Sequence, residues 1–121
     1  MGAKIEVWLD EDRRFIRQRI DGQLDVEDFQ RLDEETQKLA ADLRDPQAVL
    51  ILFDARRFGV TTRRARRAML RTLERPTLRR IAGYGAGGLG RVMAHFMVVM
   101  SGLDKLRMFL TETEAIQWLL S

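Results

Sequence analysis

Ala48-Val49-Leu50-Ile51-Leu52-Phe53, closed by Asp54, is the stretch whose reading decides the fold. An unbroken apolar run bounded by Asp45-Pro46 before it and a carboxylate after it is how a strand covered on both faces is written. A strand of that kind sits in the middle of a sheet and needs a layer on each side, which points to an α/β domain.

On the N-terminal side, Ile5, Val7 and Leu9 alternate with charged residues, as do Ile16 and Ile20, so residues 4–10 and 13–20 read as two strands with Asp10-Glu11-Asp12 as their turn. Between them and the central strand, Val26, Phe29, Leu32, Thr36, Leu39, Ala40 and Leu43 fall at helical spacing behind Asp25, a suitable N-cap, and Asp45-Pro46 ends that helix. On the C-terminal side a second helix begins at Thr61 or Thr62 and runs to about Glu74, ahead of Pro76. On a helical wheel Ala65, Met69, Thr72 and Leu73 share one side, while Arg64, Arg67, Arg71 and Arg75 form a stripe on the other.

Residues 80–84 make a short strand, and glycines 85, 87, 88 and 90 lead into residues 92–103, apolar on nearly every side, as a buried or interface helix is. That segment, broken by His95, is too short to cross a bilayer. Lys105 to Leu110 supplies a last strand, and Thr111 with Glu114 forms a capping box opening a terminal helix that carries Ile116, Trp118, Leu119 and Leu120. The pattern predicts one α/β domain over residues 1–121: a mixed, mostly parallel five-stranded sheet with an N-terminal β-hairpin and about four helices.

The 121 residues include no cysteine, which excludes thiolate metal sites, disulfides and cysteine nucleophiles. The start, Met1-Gly2-Ala3-Lys4, leads into a strand pattern without an apolar signal region, so a cytoplasmic location is expected. The formal net charge of +3 conceals a polarity: residues 1–55 carry 8 basic and 14 acidic side chains, residues 56–80 carry 10 arginines against Glu74 alone, and residues 81–121 balance at 3 each. The central block attracts anions if it faces outward, is an ordinary solvated face if nothing meets it, or pairs with the acidic helix at Asp28, Asp33, Glu34 and Glu35.

The opening hairpin, the helix entered through Asp25-Val26-Glu27-Asp28-Phe29, the apolar strand ending in Asp54, and the closing segment from Ser101-Gly102-Leu103 through Arg107-Met108-Phe109 to Trp118-Leu119 together resemble the STAS domains. The likeness is to the stand-alone SpoIIAA-like branch, whose fold is grouped with the CRAL-TRIO lipid-transfer domains. In phosphorylatable STAS regulators an Asp-Ser pair follows the central strand, and a kinase switches the serine. Here the matching residues are Asp54-Ala55-Arg56-Arg57, so the resemblance does not carry that switch over. Thr61 or Thr62 stands where phosphate would meet a helix N-terminus and arginines, or is simply a helix-start residue.

Three further constellations are weaker. Gly85-Ala86-Gly87-Gly88-Leu89-Gly90 satisfies G-x-G-x-x-G, but it follows a late strand and lacks the acidic residue a dinucleotide fold places one strand on; close packing of the next helix explains the glycines as well. Asp10, Asp12, Asp54 and Lys105 echo a receiver domain, but a receiver's first strand feeds a helix; Asp54 reads as a strand-end or capping carboxylate. His95 is the only histidine, flanked by Ala94 and Phe96, and reads as a buried core residue rather than a base or ligand. With serines only at 101 and 121, no hydrolytic triad can be assembled.

The sequence therefore predicts a non-catalytic regulatory or adaptor module without metal or cofactor. Its protein partner meets a surface of Asp54, Arg56, Arg57, Thr61, Thr62, Arg64, Arg67, Arg71 and Arg75. Self-association runs through Phe96, Met97 and Met100. The alternative is an anionic-lipid or membrane-surface module, in which the arginines meet head groups and residues 92–103 shelter a chain. The stripe lacks the Asn, Gln and aromatic residues that read or stack on bases, which argues against sequence-specific nucleic-acid binding.

Overall fold

The computed structural model describes residues 2–59, 61–88, 91, 92, 95, 98, 99 and 102–121. In chain order the elements are β1 (Lys4–Leu9), β2 (Ile16–Asp21), α1 (Val26–Ala40), β3 (Val49–Asp54), α2 (Arg63–Thr72), β4 (Leu78–Tyr84), β5 (Leu106–Phe109) and α3 (Glu112–Leu119). Between β4 and β5, Gly88, Arg91, Val92, His95, Val98 and Val99 are also helical. The five strands lie in the order β1-β2-β3-β4-β5, so the apolar run is the middle strand. β1 and β2 are antiparallel, and every later pairing is parallel, which makes the sheet mixed in the expected way.

Alternation along the strands divides the core in two. Ile16, Ile20, Val49, Ile51 and Phe53 turn to the side covered by α1 and α2, where they meet Phe29, Leu32, Ala40 and Leu73. Leu50, Leu52, Ala82, Tyr84 and Phe109 turn to the other side, where Ala115, Trp118 and Leu119 of α3 cover them. α3 packs chiefly on β3, β4 and β5 and reaches β2 through the Arg17–Glu112 ion pair at 2.8 Å. The same side of β1 and β2 therefore carries polar residues: Lys4, Glu6, Arg17 and Arg19, with the Arg19 guanidinium 5.5 Å from the centre of the Trp8 ring.

Three helix starts follow the sequence. Asp25 accepts from the Asp28 N–H at 2.8 Å and Asp28 answers the Asp25 N–H, a reciprocal cap. Thr62 caps α2 and Thr111 caps α3. Asp28 also accepts from the backbone N–H of Ala3 at 3.0 Å and from Arg31 at 2.6 Å. The Ala3 N–H contributes most to holding the buried Asp28 carboxyl below the usual carboxylate range.

Some boundaries differ from expectation. The turn after β1 is longer than Asp10-Glu11-Asp12: the Asp10 N–H donates to the Phe15 carbonyl at 3.0 Å, Arg13 takes φ 55°, and β2 begins only at Ile16. α1 stops at Ala40, because the N–H groups of Asp42 and Leu43 fold back onto Leu39 and Ala40; Leu43 is still buried. α2 ends at Thr72 rather than near Glu74. Among the described residues no helix is long and apolar enough to cross a membrane.

Candidate functional site

Asp54 ends β3 and is 5% exposed. Its partner across the parallel β2–β3 register is Arg19, whose Nε donates to Oδ2 at 3.2 Å. Two residues on, Arg56 gives it a backbone N–H at 3.1 Å and a guanidinium fork, Nε to Oδ1 at 3.0 Å and Nη2 to Oδ2 at 2.8 Å. The Arg56 side chain, more than the Arg19 one, holds the Asp54 carboxyl at about 2 against burial that pushes the other way, and Asp54 raises the Arg56 guanidinium in turn. Asp54 is therefore ionised near neutral pH and is neither a helix cap nor a proton donor.

Arg56 is steadied from beneath. Gly85 has φ 78°, and a Cβ there would run into the Arg56 side chain, whose guanidinium also lies 5.8 Å from the centre of the Tyr84 ring. Arg57 is exposed and reaches Asp21 at 3.7 Å. Lys4, Glu6, Arg19, Asp21, Asp54, Arg56 and Arg57 line a polar cleft, and its three carboxylates are each ion-paired to arginine.

α2 is set by Thr62, whose Oγ1 accepts from the Ala65 N–H at 3.2 Å. Ala65 is fully buried, whereas Arg63, Arg64, Arg67 and Arg71 are exposed and none has an ion-pair partner among the described residues. The stripe loses its fourth predicted member, because Arg75 grips Asp33 of α1 through two bonds of 2.6 Å. That partner also raises the Arg75 guanidinium above its ordinary value. Intramolecular pairing with the acidic helix therefore holds for Arg75 alone within the stripe. Arg66, turned aside, donates to the Thr61 carbonyl at 3.0 Å. Thr61 itself is 4% exposed, so it lies beneath this surface rather than on it.

The segment after β4 departs from the sequence reading. Val92 and Val99 are 65% and 63% exposed, and His95 is exposed rather than buried in the core. Apolar composition implied a covering layer, but these three residues stand at the surface. Phe96, Met97 and Met100 lie outside the described residues, as does Gly90 of the glycine turn. Around Gly87 and Gly88 a Cβ would meet nothing within 4 Å among the described residues, so packing against those does not account for the two glycines. Arg19 was not singled out by the sequence. Its role depends on parallel pairing with β3, which no local spacing announces, although it stands among charged residues alternating with apolar ones.

The model of the SpoIIAA-like family matches residues 15–120. Comparison with curated proteins gives no match. Among solved structures, the chain is similar to an uncharacterised protein of the DUF3478 family with a SpoIIAA-like fold from Shewanella loihica PV-4. The two share 18% identity and a TM-score of 0.70 over 98% of this chain and 93% of that one. It is also similar to the anti-sigma factor antagonist SpoIIAA in its unphosphorylated form, at 14% identity and a TM-score of 0.65 over 98% of this chain and 99% of that one. The middle strand ending in Asp54, the sheet order and the match across nearly the whole length agree, and the chain belongs to the SpoIIAA-like family.

Proposed function

We propose that this protein is a non-catalytic regulatory or adaptor module that binds an acidic protein surface through the outer face of α2 and the loop after β3. The observation that carries the reading is the set Arg64, Arg67 and Arg71, exposed on one helix face without a carboxylate partner among the described residues. Arg19, Arg56, Arg57 and Arg75 are by contrast taken up by Asp54, Asp21 and Asp33. Unpaired guanidiniums on a helix face are suited to carboxylate forks, because the planar group is pre-organised for two parallel hydrogen bonds. Arg56 and Arg57, in the loop after β3, form a second exposed basic pair, with Arg56 held in place by Asp54. A neighbour of the same fold is an anti-sigma factor antagonist, which supports a regulatory task.

The test is affinity capture with the wild-type chain and with a triple variant, Arg64→Glu, Arg67→Glu and Arg71→Glu, compared by quantitative mass spectrometry. Arg75 is left alone because its loss would disturb packing. The reading expects a wild-type partner to disappear from the triple variant; retention of every wild-type partner would overturn it. Co-sedimentation with anionic vesicles, abolished in the same variant, would instead assign the face to lipid head groups.

A further inference from the structure

β1 is one edge of the sheet and pairs only with β2. Along an antiparallel strand alternate residues bond to the neighbour, and the others turn their N–H and C=O groups away. The Asp10 N–H donates to the Phe15 carbonyl in this same register, so Lys4, Glu6 and Trp8 bond to β2 while Ile5, Val7 and Leu9 face outward. Ala3 keeps the alternation, and Asp28 takes its N–H at 3.0 Å. The outward main-chain groups of Ile5, Val7 and Leu9 have no hydrogen-bond partner among the described residues. Natural sheets guard an open edge by shortness, proline or a bulge. The opposite edge, β5, is four residues long; β1 runs for six, unbroken by proline or bulge.

A second copy of the chain completes such an edge when its own β1 comes in antiparallel about a two-fold axis. Outward residues have to meet outward residues, which leaves few positions for the axis. At Ile5 the pairing needs the edge beside Ala3, which Asp28 occupies. At Glu6 two Glu6 carboxylates stand opposite each other, and at Trp8 the pairing sets Glu6 against Asp10; like charges opposed across strands repel. With the axis at Val7, Val7 meets Val7 and Ile5 meets Leu9, so every outward N–H finds a carbonyl. On the other face Lys4 then opposes Asp10, and Glu6 opposes Trp8, whose ring centre lies 5.5 Å from the Arg19 guanidinium. Of these registers, this one alone clears Asp28 and opposes no like charges.

We infer that two copies of this chain join through β1, antiparallel about Val7, into one continuous sheet. Ile5, Val7 and Leu9 of both copies point to the same face, the one that α1 and α2 cover, so the dimer presents both α2 arginine faces on one side. A partner carrying two acidic patches is then held by both at once. The inference itself is independent of the partner reading of α2.

Sedimentation velocity from micromolar to submillimolar concentration tests it on the purified full chain and three variants. The wild type should show a reversible monomer–dimer equilibrium. Trp8→Lys sets an ammonium opposite Glu6 of the second copy and Trp8→Glu sets a carboxylate there, twice in each dimer. The dissociation constant of Trp8→Glu should therefore exceed that of Trp8→Lys by at least about fivefold. An axis at Glu6 would reverse that order, because residue 8 would then face Lys4. Val7→Pro removes an N–H that β2 does not use and should abolish the dimer, with circular dichroism checking the fold. Should that variant fail to fold, the two Trp8 variants still decide. A wild type that stays monomeric throughout, equal or reversed constants for the Trp8 variants, or a folded Val7→Pro chain that dimerises like the wild type would each overturn the inference.

Discussion

Replacing Asp54 by asparagine removes the charge that joins β2, β3 and the loop before α2. The wild-type carboxyl sits at about 2 against an ordinary 3.8. At about 1.4 kcal/mol per pH unit that difference corresponds to about 2.4 kcal/mol in favour of the folded chain. The side chains of Arg19 and Arg56 are 42% and 61% exposed, so water screens both and about 1 to 2 kcal/mol is the working figure. The sign follows from a depressed folded-state value: the contribution is complete above about 3.8 and is lost as pH falls towards about 2. Asp54→Asn should therefore be less stable by about 1 to 2 kcal/mol at pH 7, and most of the gap should be gone at pH 2, where the carboxyl is half protonated in the folded chain. Urea denaturation followed by far-ultraviolet circular dichroism at pH 7, 4, 3 and 2 reads both. Asp28 is depressed too, but it is unchanged in the variant, so the difference between the two proteins isolates Asp54. A gap that stays constant across the series, or no gap at pH 7, would refute the charge argument.

Arg75→Met should lose about 1 to 2 kcal/mol of stability by breaking its fork to Asp33, whereas Arg67→Met should change stability by less than about 0.5 kcal/mol; urea midpoints compare them. Gly85→Ala should cost more than about 1 kcal/mol in thermal denaturation, because φ 78° disfavours any Cβ and this one meets Arg56. Thr61→Val should stabilise the chain by about 1 kcal/mol in the same assay, since it removes a buried hydroxyl that nothing satisfies among the described residues.

What was legible in the sequence is what local chemistry dictates. Asp25, Thr62 and Thr111 cap their helices because a short side-chain oxygen at a helix start meets free N–H groups. The 48–54 run became the middle strand because only a site covered on both faces suits it. What was hidden depends on long-range pairing. Arg75 leaves the arginine stripe because α2 ends at Thr72, and past that point the chain carries it to Asp33, 42 residues away in sequence. Thr61 and Thr62 are adjacent and chemically alike, yet one is buried and the other caps a helix. His95 looked like core because its neighbours in the sequence are apolar, but it is exposed.

The central claim is that α2 presents arginines to an acidic partner. The most direct measurement is the association rate of the chain with a captured, purified partner from low to high salt, for the wild type and for the variant with Arg64, Arg67 and Arg71 changed to glutamine. Screening shortens the reach of exposed charges, so the wild-type rate should fall steeply with salt, and the variant should be slower at low salt and nearly insensitive to it. A wild-type rate independent of salt, or a variant indistinguishable from the wild type, would contradict the account.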